Sequence, residues 1–273
     1  MKKKLLLALS LVLSLSLVAC GGEKDKKEVT EGEDNKIVVG VSPTPHGEIL
    51  EGLKDEFKAK GLEVDIKTFD DYVQPNKALA EGELDLNYFQ HKPYLENFAK
   101  EHNLAIESIG SVHIEPMAFY SKEYKSLDEL PDGAEILIPN DVSNGARALL
   151  LLEDNGLIKL KDSGNLNSTE KDIAENPKNI KFTAVEAATI ARAYEDVAGG
   201  VINSNYAIGV GLEPTKDSVV IEEKDSIYAN IVAVKTEDKD KEKYKKFMEV
   251  VNSEACKEVI KDKFGEAVFP AFD

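Results

Sequence analysis

Tryptophan is missing from the chain, arginine occurs only twice among 34 basic residues, and cysteine only twice in 273 positions, at Cys20 and Cys256. Cys20 closes an N-terminal apolar run, so Cys256 has no partner, no internal disulfide is expected, and the fold must rest on its core. The chain is long enough for that, as one large domain or two smaller ones. Acidic residues number 51, which gives a formal charge of -17. Such a polyanion is a poor partner for nucleic acid, whose phosphates need lysine and arginine to displace their counterions. Nor does the body offer a basic face to anionic headgroups; the charge is read as serving solubility. The patterns G-x-S-x-G, H-E-x-x-H and G-x-x-x-x-G-K are also absent, and the adjacent acids Asp70 and Asp71 stand before a turn, where solvated caps are common. No enzyme activity, catalytic residue or cofactor is expected. No repeat of solenoid length occurs.

What is present begins with "MKKKLLLALSLVLSLSLVA", residues 1–19: three lysines, then an apolar run too short for a comfortable stop-transfer helix. This is the layout of a secretory signal, and its end, "LVAC", resembles a lipobox. Cleavage before Cys20 would leave that cysteine as the lipidation site, tethering the exported chain to the outer face of the cell membrane. Residues 20–35 are polar and lack aromatics, which predicts a flexible tether.

From Lys36 the pattern alternates. "KIVVGV" is a β-branched run, Ile49, Leu50, Leu53 and Phe57 follow at helical spacing, and "LEVDIKTF" is a second strand, which predicts parallel strands joined by a right-handed crossover. The rhythm continues with a helix from Asn76, a strand near "LDLNYF", the helix "KPYLENFAKEHN" and the strand "SVHIEPMAFYS". It restarts with "AEILIPN" and the helix "NGARALLLLEDNG", and closes with the strand "SIYANIVAVK" and two terminal helices. The class is α/β. Two such lobes suggest a hinged binding protein with its ligand in the cleft between them.

The blocks "GVSPTPHGEIL", "DYVQPNKALAEGELDLNYFQHKPYL", "HIEPMAFYSKEYKSLDELPDGAEILIPND", "GARALLLLEDNGLI" and "VINSNYAIGVGLEPTKDSVVIEEKDSIYANIVAVK" resemble, in order and spacing, those of the NlpA-type lipoproteins, the methionine-binding components of ABC importers. The resemblance implies a two-lobe periplasmic-binding-protein-like fold of type II. Residues 36–117 with 231–273 would form the first lobe and 118–230 the second. It also implies a free amino acid as ligand, most naturally L- or D-methionine or a close analogue, delivered to an ABC permease and its ATPase by a monomer.

That ligand can be checked against residue chemistry. Once water is excluded, a carboxylate, an ammonium and a side chain each need their own partner. Arg147 follows "PNDVSNGA", where Ser143 or Asn144 can cap a helix, and the family's arginine in this block binds the carboxylate. Arg192, in "EAATIAR", reads equally well as a structural ion pair. Asn205 and Asn230 interrupt strand-forming runs, and in the family both positions contact the ligand backbone, as does that of Asn144. The thioether asks for a slot of rings, which Tyr72, Tyr88, Phe89 and His91 can supply. Tyr88 and Phe89 must face opposite ways on a strand, so one of them belongs to the core, and Tyr94 is expected to pack inward.

Two other readings compete. All four histidines lie between positions 46 and 113, as a zinc-binding importer lipoprotein would use, but no pair has preformed helical spacing and no metal site is expected. A surface lipoprotein that takes a methionine derivative or short peptide is the other. Departures from the family pattern, "EAATIAR", Ser42, Thr44 and Val142, fall near the expected cleft loops.

Overall fold

The computed structural model describes residues 35–224 and 227–272. The signal, Cys20 and the tether up to residue 34 lie outside the described residues. Among the described residues, no helix is long and apolar enough to cross a membrane.

The first half opens as its pattern requires. Strand β1 (Lys36–Val41) leads through a Pro-rich turn into helices α1 (Glu48–Gly52) and α2 (Lys54–Ala59), then β2 (Glu63–Thr68), which lies parallel to β1 in full register. There follow α3 (Gln74–Glu81), β3 (Leu86–His91), α4 (Lys92–His102) and β4 (Ile106–Ile114). Ile37, Val39 and Val41 are fully buried on one face of β1 against Ile49, Leu50, Leu53 and Phe57 of the two short helices and the link between them. The other face carries Val38 against Ala78, Leu79 and Leu84. Helices on both faces explain why the central strands read as apolar runs rather than as alternation.

The stretch expected to be one strand through "SVHIEPMAFYS" is two: β4 ends at Ile114, and β5 (Ala118–Tyr120) belongs to a second sheet. Pro116 has no N–H for a ladder, and the chain changes sheets there. Then come β6 (Glu135–Pro139), α5 (Val142–Asp154), the hairpin β7 (Lys159–Leu160) with β8 (Ile173–Glu175), β9 (Lys181–Val185) and α6 (Ala187–Ala193). β10 (Gly199–Ile202), α7 (Ser204–Gly209), α8 (Pro214–Asp217) and β11 (Val220–Ile221) complete the second sheet, in the order β11-β5-β10-β6-β9.

The chain then returns. β12 (Asn230–Lys235) begins only at Asn230, later than "SIYANIVAVK" suggests, and runs antiparallel between β3 and β4. α9 (Glu242–Val251), α10 (Glu254–Phe264) and β13 (Phe269–Pro270) finish the first sheet, in the order β13-β4-β12-β3-β1-β2. Phe247 of α9 stacks on Phe57 at 4.9 Å between ring centres, and Cys256 is buried as a free thiol in the same core.

Close packing at the centre of the second sheet requires glycine. A Cβ on Gly199 would collide with the Tyr120 carbonyl oxygen and lie 2.5 Å from the Phe119 ring. Gly199→Ala is therefore expected to destabilise the fold by about 3 kcal/mol, read as a lowered urea midpoint with an unchanged slope; a midpoint equal to wild type would contradict this packing.

Candidate functional site

In a sheet of parallel strands, the carboxyl ends and the loops beyond them are where ligands are held. Here such ends from both sheets converge on one pocket. Tyr72 comes from the loop after β2, Phe89, Gln90 and His91 from the end of β3, and Tyr94 from the first turn of α4. Glu115 follows β4, Asn144 and Arg147 lie on α5, Asn203, Ser204 and Asn205 follow β10, and Asn230 opens β12. These side chains leave a small space between them that is partly open to solvent.

Seven of the eight residues picked out by sequence line this pocket; Tyr88 does not. Its side chain leaves the opposite face of β3 from Phe89, is fully buried, meets His113 Nδ1 through its hydroxyl, and packs edge-on against His46 at 4.7 Å. Strand alternation decides between the two neighbours in favour of Phe89. Tyr94, expected only to pack, does both: its hydroxyl donates to the Tyr72 carbonyl at 3.0 Å while the residue lines the pocket. The rings of Tyr72, Phe89 and Tyr94 lie 5.7 to 6.2 Å apart. They form one aromatic wall.

His91 caps α4 by accepting the Tyr94 N–H on Nδ1 at 3.2 Å, so its proton sits on Nε2, which faces Asn144 Oδ1 at 3.0 Å. Burial, and then the Arg147 charge, push its pKa down to about 3, and the ring is neutral. Asn144 is fully engaged: Oδ1 also accepts from Asn203 Nδ2 at 2.9 Å, and Nδ2 donates to both oxygens of Asp141. The helix cap expected at Ser143 or Asn144 is in fact Asp141, whose carboxylate accepts the Asn144 N–H at 2.9 Å.

Arg147 lies in the second turn of α5 and not in the first, so it does not share the free N–H groups of the helix end. Its Nε and Nη2 grip the carboxylate of Glu222 at 2.7 and 2.5 Å, Nη2 also donates to the Glu115 carbonyl, and the guanidinium lies 4.3 Å above the Tyr228 ring. Nη1 makes no hydrogen bond to a described residue. Arg192 is exposed on α6, outside the pocket.

The amides sort into donors and acceptors. Asn205 Oδ1 accepts from Tyr72 O–H at 2.5 Å, and Asn230 Oδ1 faces His46 Nε2 at 3.0 Å, so each is left with its Nδ2 donor. Asn203 is the reverse: its Nδ2 is used, and its buried Oδ1 has no partner among the described residues. Sequence reading missed Asn203 and Glu115. The signals were a polar residue ending the β-branched run of "VINSN" and an acid ending the strand in "HIEPM".

The histidines also meet in a way their spacing hides. His46, His113 and Glu115 bring their polar atoms within 4.8 Å of one another, all buried. Glu115 Oε1 lies 2.7 Å from His113 Nε2 and 3.2 Å from His46 Nε2. Within the cluster His113 bonds to Glu115, and His46 Nε2 is engaged by Asn230 Oδ1.

Comparison with known proteins agrees with this geometry. Residues 37–272 match the family model of the NlpA lipoproteins. A curated relative, the methionine-binding lipoprotein MetQ of Bacillus subtilis, is 43% identical over 275 residues, 99% of this chain and 99% of the relative. A nutrient-binding protein from Burkholderia cenocepacia, solved bound to methionine, superposes with a TM-score of 0.84 at 43% identity, covering 86% of this chain and 100% of that one. An ABC-transporter periplasmic substrate-binding protein from Coxiella burnetii gives 0.83 at 42% identity, covering 86% and 100%. Together with two α/β sheets that line one small polar and ring-lined pocket, these likenesses place the chain in the NlpA lipoprotein family.

Proposed function

We propose that the protein is the substrate-binding lipoprotein of an ABC importer, capturing a free amino acid, methionine first, and delivering it to a membrane permease driven by an ATPase. The observation that carries this reading is a pocket lined both by a buried guanidinium, whose Nη1 has no bond to a described residue, and by an aromatic wall. The ligand carboxylate lies on Arg147 Nη1, with the Nδ2 donors of Asn205 and Asn230 beside it. The unpartnered Oδ1 of Asn203 accepts from the ammonium, and the thioether occupies the slot of Tyr72, Phe89, His91 and Tyr94. Asn205 and Asn230 act here as donors, because their oxygens are already in use.

The remaining parts of the reading belong with it. Cys20 carries the lipid anchor on the outer face of the membrane, the chain acts as a monomer without catalysis, and residues 36–117 with 231–273 close as one lobe on 118–230. Native mass spectrometry of the purified protein, before and after denaturation, identifies any retained ligand, and calorimetric titration with L- and D-methionine gives the affinity. No uptake of either isomer would refute the reading. Asn230→Ala is expected to cost about 2 kcal/mol of methionine binding, the worth of a hydrogen bond to a charged group; an unchanged dissociation constant would remove Asn230 from the ligand.

A further inference from the structure

The cluster of His46, His113 and Glu115 lies against the pocket, yet a slot for an apolar side chain has no use for it. Its proton positions follow from its ends. Tyr88 is fully buried, and burial keeps its phenol un-ionised, so the hydroxyl donates to His113 Nδ1. That places the imidazole proton on Nε2, which donates to Glu115 Oε1 at 2.7 Å. On the other side His46 Nε2 stands 3.2 Å from the same oxygen and 3.0 Å from Asn230 Oδ1. Both neighbours are acceptors, so this nitrogen also carries its proton. The N–H of His113 on that oxygen, with the polar edge of His46 close beside it, stabilises the ionised acid.

The charged and titratable groups facing Glu115 are His46 from the turn after β1, Tyr88 from β3, His113 from the end of β4, Tyr72 from the loop after β2 and Arg147 from α5. Arg147 is the one cation among them, and Glu222 already holds it. The pocket wall therefore carries one buried carboxylate in excess.

We propose that Glu115 is the counter-ion of the ligand's α-ammonium, kept ionised by Tyr88 and His113 on one side and His46 on the other, and that it restricts the pocket to ligands with a free amino cation. The inference rests on the amino-acid reading above. Tyr88, His113 and His46 are positioning residues, acting through Glu115 rather than on the ligand. Burial raises the proton affinity of Glu115, so the anion, and with it the preference for an ammonium, disappears at a higher pH than for an ordinary carboxylate.

The test compares L-methionine with its 2-hydroxy analogue, in which a hydroxyl replaces the ammonium, by calorimetric titration of the full chain between pH 8 and pH 6. Wild type is expected to prefer methionine by roughly 30-fold or more. Glu115→Gln is expected to lose most of that preference through methionine alone. Tyr88→Phe, which removes the donor to His113 Nδ1, is expected to narrow the preference and to move the pH at which it fades. A merely structural role would weaken both ligands alike and leave that pH where it was. Equal losses for the two ligands in Glu115→Gln overturn the proposal, as does stoichiometric zinc retained by the cluster. If Glu115→Gln does not fold, Tyr88→Phe decides alone. Wild-type protein that binds neither ligand refutes the amino-acid reading instead, so the two failures are distinguishable.

Discussion

Arg147→Met is expected to lower the unfolding free energy by about 3 to 5 kcal/mol, because it strands the carboxylate of Glu222 in a largely buried position. For a chain of this size that is a fall in melting temperature of about 6 to 20 °C. The double variant Arg147→Met with Glu222→Gln is expected to recover most of the loss. The amide oxygen of the substituted side chain would still accept the Met117 N–H that Glu222 accepts at 2.8 Å, and no uncompensated charge would remain. The same pair separates two roles of the arginine. If Nη1 holds the ligand carboxylate, methionine binding stays lost in the stable double variant. If Arg147 serves only to balance Glu222, binding returns together with stability.

Acid is expected to unfold the protein well before ordinary carboxylates titrate. Burial holds His46 down to about 4 and His91 and His113 to about 3, against 6.5 in the unfolded chain. Above pH 6.5 all three are neutral in both states and contribute no pH dependence. Below it the unfolded chain takes up protons that the folded one refuses, so stability falls with pH, and the fall ends only near the folded values. At pH 5 each histidine costs up to about 2 kcal/mol. Glu115 and Asp141 work the other way: burial raises their proton affinity, so the folded state gains protons first and part of the loss is offset. Urea titrations at pH 8, 7, 6 and 5 measure the balance; a stability unchanged between pH 7 and pH 5 would rule out three buried neutral imidazoles.

Local periodicity made the elements legible, since the spacing of Ile49, Leu50, Leu53 and Phe57 and the β-branched run before it need no distant partner to be read. The pocket was legible residue by residue where an unusual type stood at a strand end or helix start, as with Arg147, Asn205 and His91. What each residue has left to offer was not. The oxygen of Asn230 is used by His46, 184 positions away, and the guanidinium of Arg147 by Glu222, 75 positions away. Those pairings are set by the order of strands in the two sheets, which periodicity does not encode. Histidine spacing misled for the same reason: His46 and His113 share no helix and come together only because β1 and β4 end at the same place.

The position of β12 has a consequence for the order in which the molecule can form. Among the described strands, β4 is bonded only to β12 and β13, both supplied by the segment from Asn230 onward. A growing chain can complete the second sheet while β4 still has an open edge on either side. The first sheet closes only when the C-terminal segment arrives and slides between two strands made far earlier in synthesis. Such long-range closure is slow, and for a chain exported as proposed it delays compaction until the whole polypeptide has crossed the membrane. Loss of the segment from Asn230 onward would leave β4 as a bare edge, the kind of surface on which chains aggregate.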